Sequence, residues 1–313
     1  MKQYAIALSV LFFAAPTALQ GEPAARVFLN GEPAPVYFND GDSFRVLAGT
    51  FQGTKARLAG FNTLESYGPV HQWGNWTAKE LYYLSKMATT NGRNGVWHCE
   101  SKDLAKDTYG RILWYCQDLA VDQIRKGLAH AMTVTSEPAK PELLAAQREA
   151  IKNRRGMWAH GVPEYVLTSL HSAAEGGGSD GRTYNRLVST IDGHSEKWLH
   201  TDRYGECDKV CGSKVVLPKS HLDEVTAKIR ESATIGPLFS EMTDSEVHAR
   251  INLFRSFGTV GWMNSKDDAY RANDALADWV SSSVEPVSQK EQGCMIYVDF
   301  RRRYGGKRAS CLK

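Results

Sequence analysis

The chain has 313 residues, 42% of them hydrophobic, with 38 basic against 35 acidic side chains and a net charge of +3. That length and apolar content support two domains of ordinary size with a proper core, and they exclude a disordered or fibrous chain. The near balance of charge excludes a uniformly basic nucleic-acid coat, so any contact with a polyanion has to come from local clusters.

Lys2 precedes the apolar run from Ala5 to Ala15, which breaks at Pro16 and gives way to Gln20-Gly21-Glu22-Pro23. This is the layout of a secretory signal peptide over residues 1–22, with removal expected between about Ala18 and Ala25; a buried N-terminal helix is the other reading. No later stretch is apolar enough to span a membrane, and no cysteine follows the run to take a lipid anchor. The expectation is an exported protein, periplasmic or extracellular. Its six cysteines fit that compartment, because an even count in an exported chain points to disulfides. Cys99 and Cys116 flank a predicted hairpin and are expected to pair. Cys207, Cys211, Cys294 and Cys311 leave their pairing open, and Cys207-x-x-x-Cys211 with His200 offers a zinc site as the alternative.

From Val36 to Cys116 the pattern predicts short strands at Val36–Phe38, Ser43–Leu47, Thr54–Phe61, Val96–Glu100 and Ile112–Cys116. The alternation Lys55-Ala56-Arg57-Leu58 points Ala56 and Leu58 one way and Arg57 the other, away from the core. A helix is expected from Trp76 to Met87, a second from Leu119 to Gly127, and a third from Pro141 to Arg155, with proline in its first turn and Gly156 at its end. Five strands with a helix between the third and fourth are the parts of an OB-type barrel. Glu175 to Gly181 is glycine-rich and reads as linker. Beyond it, helices are expected at Ser220–Ser232, Ser245–Phe257 and Asp267–Val280, the second supported by a capping box of Thr243 with Glu246. Met295–Phe300 reads as a strand. No internal repeat, Walker loop or dinucleotide fingerprint occurs.

The chemistry concentrates in the first half: Asp40-Gly41-Asp42, then Arg57, Glu65, and Asp107-Thr108-Tyr109-Gly110-Arg111. Cutting a phosphodiester requires a cation against the phosphate, a base for water, and donors for the charge that accumulates on phosphorus. Carboxylates and arginines in this order supply all three. Taken singly, Asp-Gly is a common turn, and each arginine is a surface residue by default. Taken together, Asp42 with oxygens of Asn62-Thr63 offers hard ligands for Ca²⁺, and guanidinium forks suit phosphate oxygens.

Those residues resemble the thermonuclease, or staphylococcal nuclease-like, family. The resemblance runs from about Val36 to Trp158 within a domain of residues 30–162, through Asp40-Gly41-Asp42, Arg57-Leu58, Asn62-Thr63-Leu64-Glu65, Asp107 to Arg111, Lys126-Gly127-Leu128-Ala129 and Arg155-Gly156-Met157-Trp158. It implies an OB-fold five-stranded barrel that hydrolyses DNA and RNA with Ca²⁺. It assigns Arg57, Glu65 and Arg111 to catalysis, Tyr109 to substrate binding, and Asp42, Asn62 and the Thr63 carbonyl to the metal, with Asp40 close behind. The other reading keeps the barrel as a non-catalytic module that binds nucleic acid or protein.

Three departures from the family pattern bear on function. Asn62 stands where the family carries Asp, which predicts weaker metal binding because ligand charge controls Ca²⁺ affinity. Leu64 replaces a proline, which is expected to loosen the turn presenting Glu65. The stretch His130-Ala131-Met132-Thr133-Val134-Thr135 carries no aromatic ring for base stacking, leaving Tyr109 as the one aromatic of the motif. A linker over residues 163–185 then leads to a C-terminal α+β region, residues 186–313, stapled by disulfides. Within it His194, His200, Asp202 and Tyr204 are candidate polar site residues without an assigned chemistry. Lys152, Arg154 and Arg155 read as solvated surface, and Arg301-Arg302-Arg303 with Lys307-Arg308 as a candidate phosphate contact.

Overall fold

The computed structural model describes residues 26–175, 183–212, 215–261, 263–280, 283–284, 287–288, 293–299 and 309–312. The expected signal peptide, the glycines of the expected linker and the basic cluster from Arg301 to Arg308 lie outside the described residues.

The first strands, β1 (Arg26–Leu29), β2 (Glu32–Asp40), β3 (Ser43–Val46) and β4 (Lys55–Leu58), form an antiparallel meander. The chain then turns at Gly60 and begins β5 (Phe61–Thr63). Gly60 has φ +92°, a left-handed conformation that glycine adopts without a Cβ penalty. The single strand expected over Thr54–Phe61 is therefore two, and Phe61 to Thr63 leave the first sheet. Next come β6 (Val70–Gln72) and α1 (Ala78–Asn94), which opens with a capping box of Thr77 and Glu80. α1 continues past Met87 because Ala88 and Gly92 remain on its buried face. β7 (Val96–Cys99), β8 (Ile112–Trp114), α2 (Gln117–Arg125), β9 (Ala129–Ala131) and α3 (Pro141–Lys152) complete this half.

Six strands join in the order β7-β1-β2-β3-β4-β8, with the outer pairs β1–β7 and β4–β8 parallel. They enclose the largest apolar cluster, in which Phe38, Phe44, Leu58, Trp114 and Leu119 are buried with residues of α3 such as Leu143. Alternation holds on β4: Ala56 and Leu58 are buried and Arg57 lies on the other face. Cys99 is bonded to Cys116, tying the end of β7 to the residue before α2.

β10 (Tyr165–Ser169), inside the stretch expected to be linker, is a mostly buried strand. It pairs with β11 (Thr183–Ser189), which pairs with β12 (Ser195–His200), giving a three-stranded antiparallel sheet. β13 (Lys209–Cys211) and the short β14 (Val215–Val216) precede α4 (Lys219–Glu231), α5 (Asp244–Phe257) and α6 (Lys266–Trp279). These three helices pack on their own core of Leu222, Val225, Ile229, Val247, Ile251 and Leu276. The box of Thr243 and Glu246 caps α5. β15 (Val287–Ser288) pairs with β14, and β16 (Cys294–Ile296) follows. Among the described residues no helix is long and apolar enough to cross a membrane.

The two halves share structure. β16 inserts between β13 and β6, with Met295 opposite His71 and Ile296 opposite Val70. Cys211–Cys294 fastens β16 to β13, and Cys207–Cys311 closes the end of the chain on the same region. No free cysteine remains, so Cys207 and Cys211 hold no thiolate for zinc. Val166 of β10 lies in one cluster with Leu64, Trp73, Leu81 and Trp158.

Gln147 of α3 is buried between the halves: its Oε1 accepts from the Ala131 N–H at 2.7 Å, and its Nε2 donates to the Thr190 carbonyl at 2.6 Å. Gln147→Ala strands both backbone groups away from water, so it is expected to lower stability by roughly 2 to 3 kcal/mol. Chemical denaturation checks this, and a loss below about 0.5 kcal/mol would mean that water replaces the amide.

Candidate functional site

The turn Asp40-Gly41-Asp42 is pressed against β5. A Cβ on Gly41 would stand 2.6 Å from the Thr63 methyl and 2.8 Å from the Ala88 Cβ, closer than atoms pack, so only glycine lets the turn reach this strand. Gln123 of α2, fully buried, donates to the Ala88 carbonyl at 2.9 Å and approaches the Gly41 carbonyl at 3.4 Å, fixing the turn from behind.

That approach delivers Asp42 to the other candidates. Its Oδ2 accepts from the Thr63 N–H at 2.9 Å, and its Oδ1 is ion-paired with the Arg57 guanidinium. Arg57 also donates to the Asn62 side-chain oxygen, whose amide nitrogen donates to the Thr63 carbonyl at 2.8 Å. Asp42, Asn62 and Thr63 are buried, and Arg57 is half-buried. Burial opposes the charge on Arg57, yet Asp42, then Glu65 and Asp40, overcome it and hold the guanidinium above its ordinary value. The structure thus joins Asp42, Arg57, Asn62 and Thr63 in one network, with the charges of Glu65 and Asp40 acting on its guanidinium.

Arg111 immediately precedes β8, the parallel neighbour of β4. In that pair Arg57 stands opposite Leu113. The Arg111 guanidinium is turned to Asp107, with Nε 2.7 Å and a terminal nitrogen 2.7 Å from the carboxylate. Asp107 also accepts from the backbone of Tyr109 and Arg111 at 2.9 Å. Burial works against the Asp107 charge, but the bonds and charge of Arg111 keep its carboxyl below the usual range. Tyr109 is exposed, and the Arg111 guanidinium lies 5.3 Å from its ring centre.

The loop carrying Glu65 is held from both ends. Leu64 is buried in the cluster with Trp73 and Trp158, which anchors the chain just before Glu65. The Glu65 N–H points to His71 Nδ1 at 3.3 Å, and Lys86 of α1 donates to the Ser66 carbonyl at 3.2 Å while lying over the rings of Tyr67 and Tyr82.

Two buried histidines behind the site escape the sequence reading. His130 of β9 stands opposite Asn62 in the β5–β9 pair, its Nδ1 3.1 Å from the Ala131 carbonyl. Its only mark in the sequence is the small flanks Ala129 and Ala131. His71 has none, because β6 is completed by a strand from the far end of the chain. Burial, then the neighbouring His130, push His71 down to about 3. Burial pushes His130 down to about 4, against the Ala131 backbone and Asp42.

Both imidazoles are thus neutral in the folded protein where the unfolded chain, with its value near 6.5, already binds protons. Their contribution is fully present above about pH 6.5 and is lost as the pH falls through about 4 and then about 3. Each contributes a slope of up to about 1.4 kcal/mol per pH unit in that window. His130→Gln is expected to flatten the dependence of Tm on pH between about 6 and 4, and an unchanged slope would exclude His130 as its source.

The polar candidates of the second half do not join this site. His194 is buried between Asp192 (2.5 Å) and Glu196 (3.1 Å). His200 Nδ1 accepts from the Asp202 N–H at 3.1 Å, and Tyr204 accepts from Asn185 at 3.0 Å. Of the basic surface cluster, Lys152 and Arg154 are exposed and Arg155 pairs with Glu149 at 2.8 Å.

Chemically, the first-half site offers carboxylates beside a fixed guanidinium and oxygen donors from Asp42 in the turn before β3 and from Asn62 and Thr63 on β5. The oxygen set of Asp42, Asn62 and the Thr63 carbonyl has the hard-donor character that suits Ca²⁺. Among the described residues, no group of three or more His, Cys, Asp or Glu side chains is arranged to hold a metal, so a cation here would depend on amide and carbonyl oxygens.

The family model described as Staphylococcal nuclease homologue matches residues 55–160, from β4 to the turn after α3. No curated protein matches the chain. Asp40 and Asp42 precede the matched segment and are folded into it by the pairing of β3 with β4. Residues 55–160 are a thermonuclease-like domain of the staphylococcal nuclease homologue family.

Proposed function

We propose that the protein is an exported, Ca²⁺-dependent endonuclease that hydrolyses phosphodiester bonds in DNA and RNA with little sequence preference. The observation that carries this reading is the network of Asp42, Asn62 and Thr63 about the half-buried Arg57, with the charge of Glu65 acting on it and Arg111 just before the neighbouring strand β8. A phosphate entering this site meets two guanidinium groups and one carboxylate able to take a proton from water. Glu65 acts as the general base. Arg57 and Arg111 donate to the oxygens on which charge accumulates, after Arg57 releases Asn62 and Arg111 releases Asp107. Ca²⁺, held by Asp42, Asn62 and the Thr63 carbonyl with Asp40 behind, supplies neutralisation of the phosphate when bound. All six cysteines in disulfides support the exported assignment.

The purified mature protein is tested on single-stranded DNA, duplex DNA and RNA with Ca²⁺ and with chelator. Cleavage that ends on chelation is expected. Chelator-insensitive cleavage overturns the metal dependence, and binding without cleavage favours the non-catalytic module, whose physical support is that Arg57 already occupies the Asp42 and Asn62 oxygens.

Asn62→Asp adds a formal charge to the ligand set. It is expected to tighten Ca²⁺ about tenfold, or about 1.4 kcal/mol, in a calorimetric titration. No gain would remove Asn62 from the ligands.

A further inference from the structure

The three-stranded sheet of the second half meets the candidate site at Tyr109. Burial, then the neighbouring phenol of Tyr184 on β11, raise the phenol of Tyr109, at the tip of the loop that presents Arg111, above its ordinary value. Tyr184 shares its sheet face with Arg186, and the register of β11 on β12 puts Lys197 and Leu199 on that face too. Lys197 Nζ lies 5.0 Å and the Arg186 guanidinium 5.7 Å from the centre of the Tyr184 ring, and the His171 ring is 5.2 Å away. Arg186 reaches back to the first half, donating to the Val134 carbonyl at 3.3 Å and to Ser195 Oγ at 3.2 Å. Backbone bonds from Thr133 to Gly193 (2.8 Å) and from Ser195 to Thr135 (2.9 Å) lock the sheet in this position. Tyr109 is 68% and Leu199 60% exposed, and Lys197 is exposed.

We infer that this face, with Tyr184, Arg186 and Lys197 beside Tyr109 and Arg111, is a binding platform for a single-stranded stretch of polynucleotide that continues past the phosphate held at the candidate site. The inference rests on the nuclease reading of that site and extends it to the second half of the chain. The aromatic rings offer flat apolar surfaces for bases, which any base satisfies through its π face. Arg186 and Lys197 lie over the Tyr184 ring and Arg111 over that of Tyr109, so a base that stacks there displaces a cation, which then meets the phosphates of the strand. A single strand fits better than a duplex, because stacking on Tyr184 and Tyr109 requires bases that are free of their partners. The charge is complementary: Arg186 and Lys197 stand directly opposite each other on β11 and β12, and Arg111 lies against Tyr109.

The test uses the full chain carrying Glu65→Gln, so that substrate is not consumed, with binding of a fluorescent single-stranded DNA oligonucleotide and of the matching duplex read at several salt concentrations. Tyr184→Ala is expected to weaken single-strand binding about tenfold or more and to change duplex binding less. Tyr184→Phe keeps the ring and is expected to retain most of the affinity, which separates stacking from a folding defect. Lys197→Gln is expected to reduce the salt dependence of single-strand binding by about one counterion. Should the parent chain bind no nucleic acid, the nuclease reading itself fails. Should it bind while Tyr184→Ala and Lys197→Gln leave affinity and salt slope unchanged, the platform is overturned and the nuclease reading stands.

Discussion

Glu65→Gln is expected to lower kcat on single-stranded DNA by about 10³-fold, within the range of a lost general base. The substitution keeps the size of the side chain and its capacity to accept a hydrogen bond, but an amide does not take a proton from water at neutral pH. The loop should stay in place, because its anchors are the buried Leu64, the contact of the Glu65 N–H with His71 and the bond from Lys86 to Ser66, none of which uses the carboxylate. Stability is therefore expected to change by less than about 1 kcal/mol, as for other changes outside the core. Single-turnover cleavage at saturating substrate, with thermal denaturation alongside, separates the two effects. Activity within about tenfold of the unsubstituted protein would take the base role away from Glu65.

The second large effect concerns the far end of the chain. Removing the Cys211–Cys294 bridge with both residues changed to alanine leaves Cys207–Cys311 in place, so the two positions stay joined through the short segments 207–211 and 294–311, and chain entropy gives a loss of about 3 kcal/mol. In a protein of this size that corresponds to a fall in Tm of roughly 6 to 12 °C. The bridge holds β16 between β13 and β6, with Met295 buried opposite His71. Loosening β16 thus loosens the strand whose histidine faces the Glu65 backbone. Activity should fall well below the melting transition, because the loop that presents Glu65 loses its support before the first-half core unfolds. A Tm within about 2 °C of the unsubstituted protein would show that packing alone docks β16.

Local patterning explains what was readable beforehand. The alternation around Arg57 sets that side chain against the core-facing Ala56 and Leu58 whichever strands β4 pairs with. Proline in the first turn placed α3, and the Thr243–Glu246 box placed α5, since caps act within a few residues of the chain. The helices of the second half were legible for the same reason: lysine, leucine and acidic residues at helical spacing need no distant partner to favour the conformation. Short strands were the opposite case. β6 and β16 have three residues each and gain their hydrogen bonds from each other. β10 lay within a segment expected to be linker, because five residues without polar alternation give no period to read.

The same division runs through the candidate site. The sequence by itself determined which groups are available: the carboxylates of Asp40, Asp42 and Glu65, the guanidinium groups of Arg57 and Arg111, and a neutral amide at Asn62. It also determined that Arg57 faces away from the core, because side-chain direction along a strand is a local property. Only the tertiary structure decided who touches whom. The close approach of Gly41 to Thr63 brings Asp42 to Arg57; the pairing of β5 with β9 sets His130 behind Asn62; and the insertion of β16 places the second half against the Glu65 loop. These contacts join residues distant in the chain, and their strength comes from burial and from partners that no local pattern encodes.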